Sequence, residues 1–473
     1  MGSHSFIGRH KELAAIQREL QRHRPSVVTV FGRRRVGKSR LLIEATREMP
    51  TIYYQATRVA DSLSLELFKD QVGNVVEPDS VLEGLSDWLG VLSYLEGVAG
   101  GRVPGLTVVL DEFPYLCDSN SALPSILQKF CDGLRERGTR MNLVLCGSRV
   151  SFMEELLGER NPLHGRQTLQ LDVGPLPFRD ASRFFPGWPP EERLRAYGVF
   201  GGMPYYLNLC DPDGSLESNV RELVLATGAP LGDEPTNLLQ AELRDVTRYA
   251  TILGAIADGC TVSGEIIGRV PEIASSSGLA PYIQKLEKLR LIRIVRSLDA
   301  SPKERNRRYY LDDPFLAFWY TFVLPNASAL SAGHERDVWR HAVRPHLDSY
   351  MGGLFEWICR DYMRLYAPER LQAAAREVGQ VWGAEFDIDV AGTLLDAHTF
   401  SGECKWWDGP VGANVLERLR ETTHAAAYYR GRDPDTHTFL LFSRSGFTNE
   451  VEEIARTDSM TLLFTPGTLL GEA

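Results

Sequence analysis

Gly32-Arg33-Arg34-Arg35-Val36-Gly37-Lys38-Ser39 fits the pattern G-x-x-x-x-G-K-[ST]. Val27-Val28-Thr29-Val30-Phe31 precedes it and Arg40-Leu41-Leu42-Ile43-Glu44-Ala45 follows. The order strand, glycine loop, helix is the context a phosphate-binding loop requires. Gly32 and Gly37 let backbone N–H groups turn toward an anion, and the helix N-terminus adds the positive end of its dipole. Arg33, Arg34, Arg35, Val36 and Arg40 supply the rest of the expected nucleotide cradle. Lys38 is placed to reach the β- and γ-phosphates, and the Ser39 hydroxyl to ligate Mg²⁺. A chance glycine turn would not also carry the apolar strand and the helix. The stretch therefore predicts an ATP·Mg²⁺ site.

Working outward, Leu106-Thr107-Val108-Val109-Leu110 ends in Asp111-Glu112. An apolar run closed by two acids is the pattern of a buried parallel strand, and ligands in such sheets sit beyond the strands' carboxyl ends. Asp111 is expected to hold Mg²⁺, and Glu112 to orient the attacking water. A further apolar strand, Met141–Cys146, leads to Ser148, which is either a γ-phosphate sensor or part of a plain turn. Arg166 in His164-Gly165-Arg166 is either a transition-state finger, in cis or from a neighbouring subunit, or solvated surface. Gly8-Arg9, just before the amphipathic stretch 12–20, either borders the nucleotide base or only opens a packing helix. Gly201-Gly202-Met203-Pro204 marks a tight turn at a helix start.

The 473 residues suggest roughly three domains. A composition of 43% hydrophobic and 24% charged residues is ordinary for a globular chain. The net charge of −10 argues against wholesale coating of nucleic acid but leaves a local basic surface open. Seven scattered cysteines without a C-x-x-C pair favour reduced thiols and a cytoplasmic protein. No run reaches a membrane span, and no signal peptide opens the chain.

Residues 242–311 alternate between short helices and the paired runs Leu291–Val295 and Arg308–Leu311, resembling a winged helix-turn-helix. Its basic tip, Lys303-Glu304-Arg305-Asn306-Arg307-Arg308, either meets nucleic-acid phosphates or is solvated. Farther on, Glu385-Phe386-Asp387-Ile388-Asp389-Val390 alternates, with acids on one face, and Gly402-Glu403-Cys404-Lys405-Trp406 does the same. Acids and lysine on adjacent strands either hold a divalent cation or pair with each other across a half-buried sheet.

Phe6-Ile7-Gly8-Arg9, the Gly32–Ser39 loop, Leu110-Asp111-Glu112 and Gly202-Met203-Pro204 together resemble the archaeal-type ATPases, relatives of the STAND and Orc/Cdc6 branches of AAA-like P-loop proteins. That resemblance implies a helical lid with Pro204 near the nucleotide. D-x-D, then E-x-K, preceded by Glu356 in a helix, resembles the PD-(D/E)XK nuclease fold. Val381-Trp382-Gly383 and Gly402-Glu403-Cys404-Lys405-Trp406-Trp407 resemble the nuclease-like domain often fused to such ATPases. It implies Asp387, Asp389, Glu403 and Glu356 as metal ligands, with Lys405 as a catalytic partner. The family's E-I-D maps either onto Glu385-Phe386-Asp387 or onto Asp387-Ile388-Asp389.

The expected architecture is α/β: a P-loop NTPase parallel sheet (5–175), a helical lid (176–240), a winged-helix middle domain (241–325) and a restriction-endonuclease-like domain (335–473). The expected function couples ATP binding and hydrolysis to a metal-dependent, DNA-cleaving or DNA-binding C-terminal domain, within a chain able to form a homo-oligomer. The rival is an ATP-controlled switch with an inactive nuclease-like interaction domain. A metabolic kinase is disfavoured, because the lid and appended domains offer no evident pocket for a small acceptor.

Overall fold

The computed structural model describes residues 6–301, 307–383 and 386–472. Two compact units account for them. The first spans the chain to Leu176 and takes in Met203–Tyr205; the second holds Pro177–Gly202 and Tyr206 onward.

In the first unit, β1 (Ser26–Phe31), β2 (Thr51–Gln55), β3 (Thr107–Asp111), β4 (Asn142–Gly147) and β5 (Leu169–Asp172) form one sheet. Its order is β2-β3-β4-β1-β5, and every pairing is parallel. This is the P-loop NTPase fold. β1, β3 and β4 are buried along their whole length, which is why they appear in the sequence as unbroken apolar runs rather than alternating ones. Side chains from Ile52, Val108, Leu143, Phe68, Trp88 and Leu127 share one core beneath the sheet. The register sets Phe31 beside Gly147 and Leu110 beside Leu145. The carboxyl ends of β1, β4 and β3 therefore come out side by side.

In the second unit the helix Pro190–Phe200, the second after Phe178–Ser182, stops at Gly201 with φ 63°. Three helices, Val246–Ala257, Ser263–Arg269 and Ser276–Lys288, then lead into an antiparallel pair, β6 (Ile292–Val295) and β7 (Arg308–Leu311). Residues 303–306 of the basic tip lie outside the described residues.

A second sheet follows, with β8 (Ala375–Trp382), β9 (Asp387–Leu394), β10 (Thr399–Lys405), β11 (His437–Ser443) and β12 (Thr461–Phe464) in the order β12-β11-β10-β9-β8. β8, β9 and β10 run antiparallel; β10, β11 and β12 run parallel. Ile388 and Ala391 pack with Leu416 and Leu419 of the helix Ala413–Ala425. The helix Leu347–Tyr366 packs across β8, β9 and β10. All seven cysteines are free and buried. Among the described residues no helix is long and apolar enough to cross a membrane.

Candidate nucleotide site and C-terminal acid cluster

The phosphate loop leaves β1 through Gly32, whose φ is 152°. A Cβ there would stand 2.2 Å from the Val173 carbonyl oxygen, so only glycine fits. Gly37, at φ 90°, begins the helix Lys38–Ala45. The buried Lys38 donates from Nζ to the Gly32 and Arg33 carbonyls at 2.8 and 2.9 Å. Burial lowers its pKa, while Cys146, Glu112 and Asp111 pull the other way. An ammonium held over the mouth of the loop and short of solvation is ready to exchange those carbonyls for phosphate oxygens.

Ser39 Oγ donates to Asp111 Oδ2 at 2.6 Å, and Tyr53 OH donates to the same oxygen at 2.7 Å. Asp111 Oδ1 accepts from the Glu112 backbone N–H at 2.9 Å. Glu112 has a left-handed backbone, φ 52°, and its Oε2 accepts from Ser148 Oγ at 2.7 Å. The hydroxyl and carboxylate of Ser39 and Asp111 fit one face of a Mg²⁺ shell, the remaining ligands being phosphate and water.

The other predicted residues of the loop are distributed as follows. Arg9, buried and at φ 61°, donates to the Val36 and Gly174 carbonyls at 3.0 and 2.5 Å; in this structure it clamps the back of the loop. Arg34 donates to Tyr115 OH at 2.5 Å. Arg35 lies 4.5 Å from the centroid of the Tyr205 ring. Arg40 is exposed. Pro204 starts a helix, and a Cβ on Gly37 would sit 3.5 Å from its Cγ, so this turn borders the loop. Arg166 makes a bidentate pair with Asp132, both contacts at 2.8 Å. Sequence reasoning missed Tyr53, because the pairing of β2 with β3 that brings it to Asp111 leaves no local mark.

In the second unit, Asp389 Oδ2 accepts from the Cys404 backbone N–H at 2.9 Å. Burial, then the charges of Glu356 and Glu403, push its pKa well above the usual carboxylate range. Glu356 is raised too, by burial first, with Asp387 and Glu403 adding to it and Arg360 opposing. Lys405 Nζ donates to Glu403 Oε1 at 2.5 Å. Arg360 Nη1 donates to the Asp389 carbonyl at 2.7 Å and lies 3.5 Å from Glu356 Oε2. Asp387 is exposed and pairs with Arg308 at 3.3 Å.

Asp389, Glu356, Glu403 and Lys405 are thus neighbours, with Asp387 at the rim. Among the described residues, however, no three His, Cys, Asp or Glu side chains gather into a group able to hold a metal ion. Two of the four expected acids are in ion pairs, Glu403 with Lys405 and Asp387 with Arg308. Glu385, the other candidate acid, lies outside the described residues. Arg360 and Gln380, which also engage Glu356, were not foreseen.

Residues 6–210 match a family of ATPase domains predominantly from Archaea. Residues 319–420 match a family described as archaeal and bacterial proteins of unknown function. An uncharacterized protein of Methanocaldococcus jannaschii is 29% identical over 409 residues, which is 85% of this chain and 88% of that protein. The Walker-type ATPase of Pyrococcus abyssi superposes with a TM-score of 0.50 at 19% identity, over 67% of this chain and 96% of that one. The Aeropyrum pernix ORC2 protein, in its ADPNP–ADP complexes, gives 0.47 at 16% identity, over 70% and 97%. The family match over residues 6–210 and the geometry of the loop agree on a P-loop NTPase fold for this part of the chain.

Proposed function

We propose that this protein binds and hydrolyses ATP, and that its nucleotide state controls a C-terminal domain whose partner is DNA. The observation that carries the reading is the Ser39–Asp111 hydrogen bond beside Lys38, with Glu112 docked on Ser148. When ATP is bound, Ser39 and Asp111 hold Mg²⁺ and Lys38 neutralises the terminal phosphates. Glu112 then leaves or keeps Ser148 as it orients water. Pro204 reports loop occupancy to the chain that follows it, and Arg166 acts across a subunit boundary if the protein assembles. Seven free thiols support a reducing, cytoplasmic setting.

We take residues 241–325 as a winged helix and 335–473 as a nuclease-like domain. The acid cluster does not fit a second divalent cation as it stands, so the reading best supported is a nucleotide-controlled switch that recognises DNA. Cleavage of DNA is the second reading. It is favoured by one observation: burial raises the proton affinity of Asp389 and Glu356, the charge of Glu403 adds to both, and Lys405 Nζ donates to Glu403.

The test is purified protein with plasmid and single-stranded DNA, in Mg²⁺ or Mn²⁺, with and without ATP. Lys38→Ala and Glu403→Ala run beside wild type. ATP hydrolysis lost in Lys38→Ala and ATP-dependent DNA retention without cleavage support the switch. Cleavage abolished by Glu403→Ala supports the second reading. DNA neither bound nor cut in any nucleotide state removes DNA as the partner.

A further inference from the structure

Twenty residues apart, the second unit repeats one backbone device. Trp319–Val323 and Trp339–Val343 are π-helical turns, closed by Leu324 N–H to Trp319 O and Arg344 N–H to Trp339 O. Each is followed by a 3₁₀ turn, Leu324–Asn326 or Arg344–His346, and then by α-helix. Trp, Val and Pro recur in register, as Trp319/Trp339, Val323/Val343 and Pro325/Pro345. The prolines explain the widening. Pro325 and Pro345 have no N–H to offer the carbonyls of Thr321 and His341 four residues back, and their rings crowd those carbonyls, so the helix opens by one residue. Such π-turns recur at functional sites.

Both turns face one cavity of about 580 Å³. Thr321, Phe322 and Asn326 come from the first copy. His341, Ala342 and His346 come from the same three positions of the second. The cavity has an aromatic wall: the Phe322 and Tyr350 rings meet edge to face with centroids 5.5 Å apart. Tyr350 is fixed by its hydroxyl, which lies 2.9 Å from the Gly198 carbonyl oxygen and 3.0 Å from that of Pro314. The Asn326 amide is oriented by donation from Nδ2 to the Phe322 carbonyl at 2.9 Å. Ser349 adds a hydroxyl. Among the described residues that line the cavity there is no carboxylate. His341 and His346 are exposed at its rim, next in sequence to the exposed Arg340 and, two residues before His346, Arg344.

We propose that this cavity binds a mononucleotide, independently of the phosphate loop. The base lies against the Phe322–Tyr350 wall, Asn326 and Ser349 hydrogen-bond its edge, and His341 and His346 take the phosphate. The volume is that of a small-molecule site, with apolar and polar lining in equal share and several converging polar groups. Two imidazoles flanked by arginines, with no carboxylate in the lining, select an anion over a cation. The first copy supplies the ring and amide suited to a base; the second supplies the imidazoles suited to a phosphate.

The test uses full-length Lys38→Ala, which silences the phosphate loop, titrated by calorimetry with AMP, GMP, CMP and UMP in turn. One of them binds at a single site. His341→Ala and His346→Ala, both at exposed positions, each weaken it about tenfold, the size of one charged hydrogen bond. Asn326→Leu shifts the preference among the four bases. Circular dichroism confirms that the variants are folded. Absence of binding for all four, or binding that survives the two histidine substitutions, overturns the proposal.

Discussion

Ser39 Oγ donates to Asp111 Oδ2 across 2.6 Å, linking the loop after β1 to the end of β3. Both oxygens, a hydroxyl and a carboxylate, are of the hard kind a small divalent cation takes as ligands. Replacing Asp111 with Ala removes the carboxylate that receives both this bond and that of Tyr53. ATP hydrolysis should fall on the order of 10²–10³-fold, and the Mg²⁺ concentration needed for half-maximal turnover should rise. Turnover against Mg²⁺ concentration measures this; an unchanged Mg²⁺ dependence would mean that Asp111 is not a ligand.

Glu112 and Ser148 separate chemistry from binding. Glu112→Gln keeps the size and the hydrogen bond to Ser148 but loses the charge that orients water. Hydrolysis should drop by about 10²–10⁴-fold while ATP affinity is retained. Ser148→Ala should cost less, since it removes only the positioning contact. Equal losses in ATP affinity and in turnover for Glu112→Gln would assign Glu112 to binding instead.

Gly32 leaves no room for substitution. A Cβ would overlap the Val173 carbonyl, at 2.2 Å, and φ 152° is unfavourable for any side chain. Gly32→Ala should abolish nucleotide binding and lower the stability of the first unit by at least about 1–3 kcal/mol. Chemical denaturation with and without ATP reads both effects, and wild-type stabilisation by ATP would contradict the argument.

The phosphate loop was legible because its determinants are local: two glycines, a lysine and a serine at fixed spacing between a strand and a helix. Asp111 and Glu112 were legible because a buried parallel strand has to end in its site. Arg9 was not. Its partners, the carbonyls of Val36 and Gly174, are 27 and 165 residues away, and nothing in Gly8-Arg9 tells a clamp on the loop from a border to the base. The C-terminal acids show the same limit. Alternation put Asp387 and Asp389 on one face, yet what separates them is Arg308 from β7, which engages Asp387, and the Cys404 N–H, which engages Asp389. Those are tertiary facts that no spacing encodes.

His437 makes the second sheet sensitive to acid. Its ring nitrogens lie 2.7 Å from Thr399 Oγ1 and 2.8 Å from Ser401 Oγ, and Thr423 donates to Ser401 at 2.8 Å. Burial, with Arg432 adding to it, lowers the pKa from 6.5 to about 4. The unfolded chain takes up the proton near the higher value and the folded protein only near the lower. The contribution is complete above the higher value and lost as pH falls toward the lower, by up to about 3 kcal/mol. His437→Gln keeps hydrogen-bonding groups and cannot titrate in this range. The stability difference between wild type and variant should be flat above neutrality and shrink on acidification. Parallel stability–pH curves would rule out His437 as the source.

Asp348 joins three segments of the second unit. Its Oδ1 accepts from Arg195 Nη2 at 2.9 Å, on the helix Pro190–Phe200, and from Trp406 Nε1 at 3.1 Å, immediately after Lys405. Its Oδ2 accepts from Arg444 Nη1 at 2.8 Å, just beyond β11. Arg195 and Arg444 are largely buried, so Asp348 neutralises cations that solvent reaches poorly. The helix that carries Arg195 ends at Gly201, and three residues on Pro204 borders the phosphate loop. If nucleotide state reaches the Glu403–Lys405 strand along this route, Asp348→Asn should break it. The variant should lose on the order of 1–2 kcal/mol of stability, since Asp348 itself is half exposed. It should still hydrolyse ATP at the wild-type rate, because no group at the phosphates has changed. What should vanish is the ATP-induced change in hydrogen exchange across Thr399–Trp406. An unchanged exchange response to ATP in the variant would show that the signal travels elsewhere and that Asp348 serves only to hold the unit together.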